Sequence, residues 1–394
     1  MNTNKWMVAL SAVILHMCIG SVYAWSVLTG PIIAETGWSL TEVTFTFSLA
    51  ILFLGTSAAT LGPRVEAWGP SKSATIAAVL FAVGFVGGGV AVALRSLPLL
   101  YLTYGVVGGI GLGVGYIAPV STLVKWFPRH KGFATGLVIM GFGFASFLAG
   151  PLLQWLTAFH GVLYAMVSVG LAYGVVMTHV SRFITPPPVN AKPSKVDRKL
   201  AGRPPVDVYN TRWFALLWFA FFVNISSGIS FLAVASPMSQ SVVGLTPTEA
   251  ATLVGIIGVF NGAGRIAWAS ISDIVGPRAV YLTMFVIELV AFSLISKTSD
   301  PLAFQAIVLV IVTCYGGGFS CMPAFLSELF GSSHLSTVHG RILSAWGLAG
   351  LAGPLLIGYV FSTTGTYSMT IFAWLFAVNV AIAAYLALRA PRVG

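Results

Sequence analysis

Runs of about twenty apolar residues, repeated from one end of the chain to the other, constrain this sequence more than anything else in it. A hydrocarbon layer about 30 Å thick takes about 20 helical residues to cross. Inside that layer each backbone N–H and C=O must find its partner within the protein, which favours helices over open sheets. Twelve such runs are present, near 6–30, 44–62, 73–94, 98–123, 133–157, 161–181, 212–236, 247–270, 279–297, 302–326, 340–363 and 368–389. They use most of the 394 residues and leave no room for a separate soluble domain. Charged residues make up 8% of the chain, against about 25% in soluble domains. The expected fold class is therefore an all-α membrane protein with twelve transmembrane helices and the lipid bilayer as its solvent.

The opening "MNTNKWMVALSAVILHMCIGSVYAWSVL" has the order of a secretion signal, a positive charge and then an apolar run. Its run is too long, however, and bulky where a small-residue cleavage site belongs, so it is read as a retained first helix. Cys18, Cys314 and Cys321 all sit in apolar runs with no CxxC or Cys/His spacing, which argues against a disulfide frame or structural zinc. Glycine-rich runs such as "GGIGLGVG" lie inside spans with no strand before them, so they are not dinucleotide loops. Neither a metal nor a cofactor is expected.

The longest polar interruption, "SRFITPPPVNAKPSKVDRKLAGRPPVDVYNTR", carries Arg182, Lys192, Lys195, Arg198, Lys199, Arg203 and Arg212 against Asp197 and Asp207. The positive-inside rule places it in the cytoplasm, and twelve spans then put both termini there too. Of the twenty Lys and Arg residues, all but Arg95, Lys297 and Arg265 fall on that side. The net charge of +10 is thus mostly topology. Nucleic acid is not expected as a partner, because no contiguous basic face exists outside the central loop.

The chain also repeats itself. "AGPLL" occurs at 149–153 and again at 352–356, and Gly69 of "VEAWGPSK" stands 207 residues before Gly276 of "ISDIVGPR". Two parallel six-helix halves fit both landmarks: an N-terminal bundle at 1–183, a cytoplasmic central loop at 184–211 and a C-terminal bundle at 212–394. In such repeats the substrate site lies near the midplane between halves.

One residue breaks both the apolar pattern and the symmetry. Arg265 sits in "LVGIIGVFNGAGRIAW", and subtracting 207 lands on Ala58; subtracting it from Asn261 lands on Leu54. A guanidinium at mid-membrane costs roughly 2.5–3.5 kcal/mol on insertion scales. Asn261 and Arg265 are four apart and share a helix face. A device the fold needs would be expected in both halves, whereas a substrate device need appear once.

The stretches "YAWSVLTGPIIAETGWSLTEVTFTFSLA", "KWFPRHKGFATGL" and "NGAGRIAWASISDIVGPR" resemble the major facilitator superfamily, and within it the oxalate/formate antiporters and prokaryotic monocarboxylate transporters. The resemblance covers essentially the whole chain and implies the major facilitator fold, two pseudo-symmetric six-helix bundles. It further implies that Arg265 binds a substrate carboxylate with Asn261 one turn away, and that Tyr116 and Tyr315 supply aromatic hydroxyls. Glu66, Lys72, Asp273 and Arg278 then belong to cytoplasmic gate loops, although Glu66 replaces the usual Asp and Ala269 the usual Gly. Dicarboxylate carriers of the family place a second cation in span eleven, where this chain has Trp346 in "SAWGLAG". One cation opposite a bulky aromatic suits one carboxylate with a small organic tail.

Plainer readings exist for each residue. Arg265 lies roughly 12 Å from Asp273 at 1.5 Å per residue, so its stem has the reach to snorkel. Asn261, Tyr116, Tyr315 and, with a weaker claim, Tyr23 and Trp25 are also ordinary packing residues. His16 titrates in the range useful for proton transfer or serves as a neutral interface residue. Glu288 is the one mid-span acid. A carboxyl isolated there is normally protonated, and a structural or pairing role competes with proton transfer. The resulting expectation is a secondary transporter in the cell (inner) membrane, working as a monomer by alternating access on a small monocarboxylate such as lactate or pyruvate, with a proton as its second partner. Anion exchange of the oxalate/formate kind is the nearest alternative. A non-transporting anion receptor is a more distant one, and no nucleophile–base pair or metal cluster suggests an enzyme.

Overall fold

A computed structural model describes residues 4–188, 205–331 and 334–390. Most of the basic central loop, including Lys192, Lys195, Asp197, Arg198, Lys199 and Arg203, lies outside the described residues. The described chain is helical: α1 (Lys5–Gly20), α2 (Trp25–Thr36), α3 (Leu40–Trp68), α4 (Pro70–Ala93), α5 (Leu97–Trp126, with a π-helical turn at Tyr101–Gly108), α6 (Lys131–Ser181), α7 (Arg212–Val243), α8 (Pro247–Val275), α9 (Pro277–Ile295), α10 (Pro301–Phe330), α11 (Leu335–Ile342), α12 (Ser344–Thr364) and α13 (Thr370–Arg389).

These helices map onto the twelve apolar runs. A 3-10 turn at Ser21–Ala24 joins α1 to α2 within the first. α6 holds the fifth and sixth, separated at Gly161, whose φ of 79° breaks the helical path. α11 and α12 make up the eleventh. Among the described residues, ten helices are long and apolar enough to cross a membrane. The 51-residue α6 counts once among them, and α8 supplies the remaining span.

The repeat is written into the backbone. Ser39 caps α3 with Glu42 completing a capping box, and Thr246, 207 residues on, caps α8 with Glu249 doing the same. In each case a hydroxyl and a carboxylate satisfy donors that the first turn cannot. Gly69 at φ 76° and Gly276 at φ 87° end α3 and α8, each followed by proline at the start of the next helix. Left-handed backbone favours glycine, and proline suits a first helical position, so "WGP" and "VGP" are hinge sequences rather than coincidences of composition.

Helices approach closely wherever small residues allow it. A Cβ on Gly109 of α5 would stand 2.7 Å from the Ala50 carbonyl of α3, and one on Gly84 of α4 would stand 2.6 Å from Gly108. The chain divides into two compact units. Unit 1 comprises Met1–Arg129, Leu137–Pro193 and His334–Gly347; unit 2 comprises His130–Gly136, Ser194–Ser333 and Leu348–Gly394. Each unit therefore contains a short segment from the opposite half of the sequence.

Candidate functional site

Unit 2 carries the arginine. The capping box at Thr246 fixes where α8 begins, and about four turns later Asn261 and Arg265 lie on one face. Arg265 is 0% exposed. Its Nε donates to Asn261 Oδ1 at 2.9 Å, and its Cζ stands 5.1 Å from the centre of the Phe319 ring. An amide acceptor on one edge and an aromatic face together fix the plane of the guanidinium. A desolvated cation–π contact adds about 2 kcal/mol, which helps offset the cost of burying the charge.

The segment "YGGGF", Tyr315 to Phe319 of α10, is the hub of this neighbourhood. A side chain on Gly316 would run into the Asn261 carbonyl and stand 3.1 Å from Arg265 Cγ. On Gly317 it would meet Trp268 and the Met284 sulfur, both at 2.6 Å, and on Gly318 the Asn224 amide. Tyr281 donates its hydroxyl to the Gly318 carbonyl. Three successive glycines thus admit α8, α9 and α7 in turn. The Tyr315 ring packs against Gly228 of α7 and meets Phe319 edge-on at 5.3 Å. Arg265, Asn261 and Tyr315 are therefore brought into one neighbourhood, Tyr315 by way of Phe319. Phe319 itself carries no sequence signal beyond its place four residues after Tyr315.

Tyr116 lies in unit 1, also fully buried, at the centre of an aromatic cluster. Ring centres stand 5.2 Å away for His16, 5.7 Å for Phe142, 5.2 Å for Trp346 and 5.9 Å for His339. Tyr23 meets Phe142 at 5.0 Å, while Trp25 packs on Tyr104 at 4.3 Å and donates its indole N–H to the Val43 carbonyl. His16 Nδ1 lies 3.2 Å from the Ala12 carbonyl, one turn back on α1. His339 was not singled out in the sequence. Its one signal there is that it precedes Trp346 by seven residues, two helical turns.

Glu288 is fully buried on α9, and both of its carboxyl oxygens accept from Asn224 Nδ2 of α7 at 3.0 Å. Asn224, another polar residue inside a span, is the partner.

Glu66 and Asp273, the acids expected in gate loops, each reach a helix N-terminus from the other half of the sequence. Glu66 Oε1 accepts from the Thr337 N–H of α11 at 3.0 Å. Its Oε2 lies 3.6 Å from His334 Nδ1. Asp273, 207 residues after Glu66, accepts from the Gly132 and Phe133 N–H groups at the start of α6, both at 2.8 Å. The first N–H groups of a helix have no partner within it and carry the positive end of its dipole, so a carboxylate is a natural latch for them. Small residues line the approaches: a Cβ on Gly136 would stand 2.7 Å from the Arg265 carbonyl, and one on Gly340 would run into the Ala58 carbonyl. Arg278 instead ties unit 2 together, bonding Glu328 and the Ala390 carbonyl at 2.8 Å each and the Leu386 carbonyl at 3.4 Å. Lys72 is exposed and makes no ion pair among the described residues.

Three comparisons bear on this arrangement. The family model described as Major Facilitator Superfamily matches residues 9–269 and 217–393. Among curated proteins, the chain is 26% identical over 358 residues to the uncharacterized MFS-type transporter YhjX of Escherichia coli (strain K12), covering 88% of this chain and 86% of that one. It is 26% identical over 353 residues to the oxalate:formate antiporter of Oxalobacter formigenes, with 89% and 83% covered. It is likewise 26% identical over 309 residues to monocarboxylate transporter 13 of Bos taurus, with 76% and 69% covered. Of solved structures, the proton:xylose symporter XylE superposes with a TM-score of 0.76 at 16% identity, covering 98% of this chain and 96% of that one. At that identity the likeness concerns the fold alone.

Proposed function

The chain belongs to the Major Facilitator Superfamily, and on that premise we propose that it carries small monocarboxylates of the lactate or pyruvate type together with a proton, by alternating access. It is a multi-pass membrane transporter of the oxalate:formate antiporter and monocarboxylate transporter type. The observation that carries the finer reading is Arg265, fully buried and held flat between Asn261 and Phe319. Arginine stays charged at any working pH and presents a planar fork matched to a carboxylate. Trp346 stands where dicarboxylate carriers of the family place a second cation, which favours one carboxylate over two.

In this reading the protein sits in the inner membrane with both termini in the cytoplasm. Glu66 and Asp273 are latches that hold the cytoplasmic ends of the two sequence halves together and release them in the other half of the cycle. A cotransported proton makes entry of the anion electroneutral; His16 and Glu288 are the groups proposed to carry it. The antiporter among the relatives supports exchange as the second reading.

The test is uptake of radiolabelled L-lactate into proteoliposomes, with and without an inward-acid gradient, for wild type and Arg265→Ala. Uptake driven by the gradient and abolished in Arg265→Ala is expected. Movement only into vesicles preloaded with a carboxylate favours the exchanger. Equal uptake by both proteins sinks the assignment of Arg265.

A further inference from the structure

The buried titratable groups of this protein differ in what holds them. Both oxygens of Glu288 are engaged by Asn224, and His16 faces a carbonyl of its own helix. His339 is 0% exposed, and neither of its ring nitrogens has a hydrogen-bond partner among the described residues. A neutral imidazole carries one donor and one acceptor, and burying both unmet is unfavourable, so its position calls for a reason.

That reason lies in the helix that bears it. α11 is the piece of the C-terminal half that packs within unit 1. It seats on α3 and α5 with Gly340 against the Ala58 carbonyl and Ile117, and its Thr337 N–H donates to Glu66 of α3. The charged and titratable groups around the imidazole offer it no counter-charge. On α5, Tyr116 touches the ring and Lys125 is exposed; on α3, Arg64 is exposed and Glu66 is engaged with Thr337 and His334; on α11 itself Arg341 is exposed. His16 packs on the same Tyr116 ring, 5.2 Å from it centre to centre, and carries no negative charge. The slot accepts a neutral ring and, among the described residues, has no carboxylate paired with it to balance a cation.

We propose that His339 is a proton-binding site on the gate, which takes a cytoplasmic proton when α11 leaves its seat and must lose it before α11 can return. This rests on the alternating-access reading above. With α11 displaced, the ring meets water and titrates as an ordinary histidine near pH 6.5. The closed gate is therefore favoured above that pH. Below it, the fraction of neutral ring able to re-enter falls about tenfold for each further pH unit. Acid in the cytoplasm slows the return of the carrier, a brake suited to a protein that brings acid in.

Two measurements with the full chain test this. The first is lactate exchange in proteoliposomes with equal pH on both sides, at 7.5 and 5.5, for wild type and His339→Gln, which is polar but cannot be charged. The wild type is expected to slow about tenfold at pH 5.5 and His339→Gln to stay level. The second needs no substrate: amide hydrogen exchange of residues 335–347, corrected for the intrinsic effect of pH. Protection in the wild type is expected to fall about tenfold between the two pH values, and to hold in His339→Gln. A wild type whose segment is equally protected at both, or a His339→Gln protein that loses protection equally, overturns the proposal. Should protection switch while no carboxylate moves, the transport reading fails and the proton site stands. Should lactate exchange with no dependence on His339 in either measurement, the reverse holds.

Discussion

Gly316→Ala tests whether the packing of α8 on α10 sets the proposed carboxylate site. The added Cβ would point at the Asn261 carbonyl and stand 3.1 Å from Arg265 Cγ. A carbon and a carbonyl oxygen approach to about 3.3 Å, and the space falls short of that by about an ångström, against backbone that cannot turn aside. The helices must part, at a cost of about 1–3 kcal/mol for an overpacked interface. Arg265 moves with α8 relative to Phe319. Loss of one well-aligned charge-assisted hydrogen bond to substrate, about 1.5 kcal/mol, corresponds to roughly a tenfold rise in Kd. The control is Gly255→Ala on α8, where a Cβ meets nothing within 4 Å. The assay pairs the thermal midpoint of purified protein with the concentration dependence of lactate exchange. Gly316→Ala should lower the midpoint by a few degrees and raise the half-saturating concentration about tenfold, while Gly255→Ala leaves half-saturation unchanged and keeps or raises the midpoint, because alanine favours the helix. Equal behaviour of the two variants would refute the claim that this close approach positions the arginine.

Further outcomes follow from the same geometry. Arg265→Lys keeps the charge but loses the planar fork, so half-saturation should rise at least about tenfold with the protein still folded; unchanged kinetics would mean that only charge matters. Asp273→Ala removes the cap on Gly132 and Phe133 and should weaken the proposed latch by about 1 kcal/mol, seen as faster amide exchange over 131–136. Glu288→Leu leaves the Asn224 amide without its partner, costing about 1–3 kcal/mol, whereas Glu288→Gln should preserve stability. If the Gln variant exchanges lactate but no longer accumulates it on a pH gradient, Glu288 carries the proton; if accumulation persists, its role ends at the Asn224 pair.

Much of the fold was legible in the sequence because lipid leaves a chain few options. Apolar run length dictated the spans, and the hinge sequences around Gly69 and Gly276 dictated two of the turns through local backbone preference alone. Arg265 and Asn261 were legible too, since a cation in an apolar run violates a strong rule and their spacing of four needs only helical geometry. Phe319, Asn224 and His339 were not. An aromatic, an amide and a histidine in or beside spans have many ordinary uses, and nothing local says that Phe319 lies under a guanidinium or that Asn224 meets Glu288 from 64 residues away. The sequence offered Glu66 and Asp273 as gate charges, but their partners are backbone N–H groups of helices that begin far along the chain. Which helix ends they cap is a matter of tertiary packing, because a backbone donor carries no side-chain signature. By itself the sequence determined which segments are helical spans and where a charge had been placed at a cost. The tertiary structure alone decided which side chains meet, because contacts between helices depend on the glycines that let backbones close on one another.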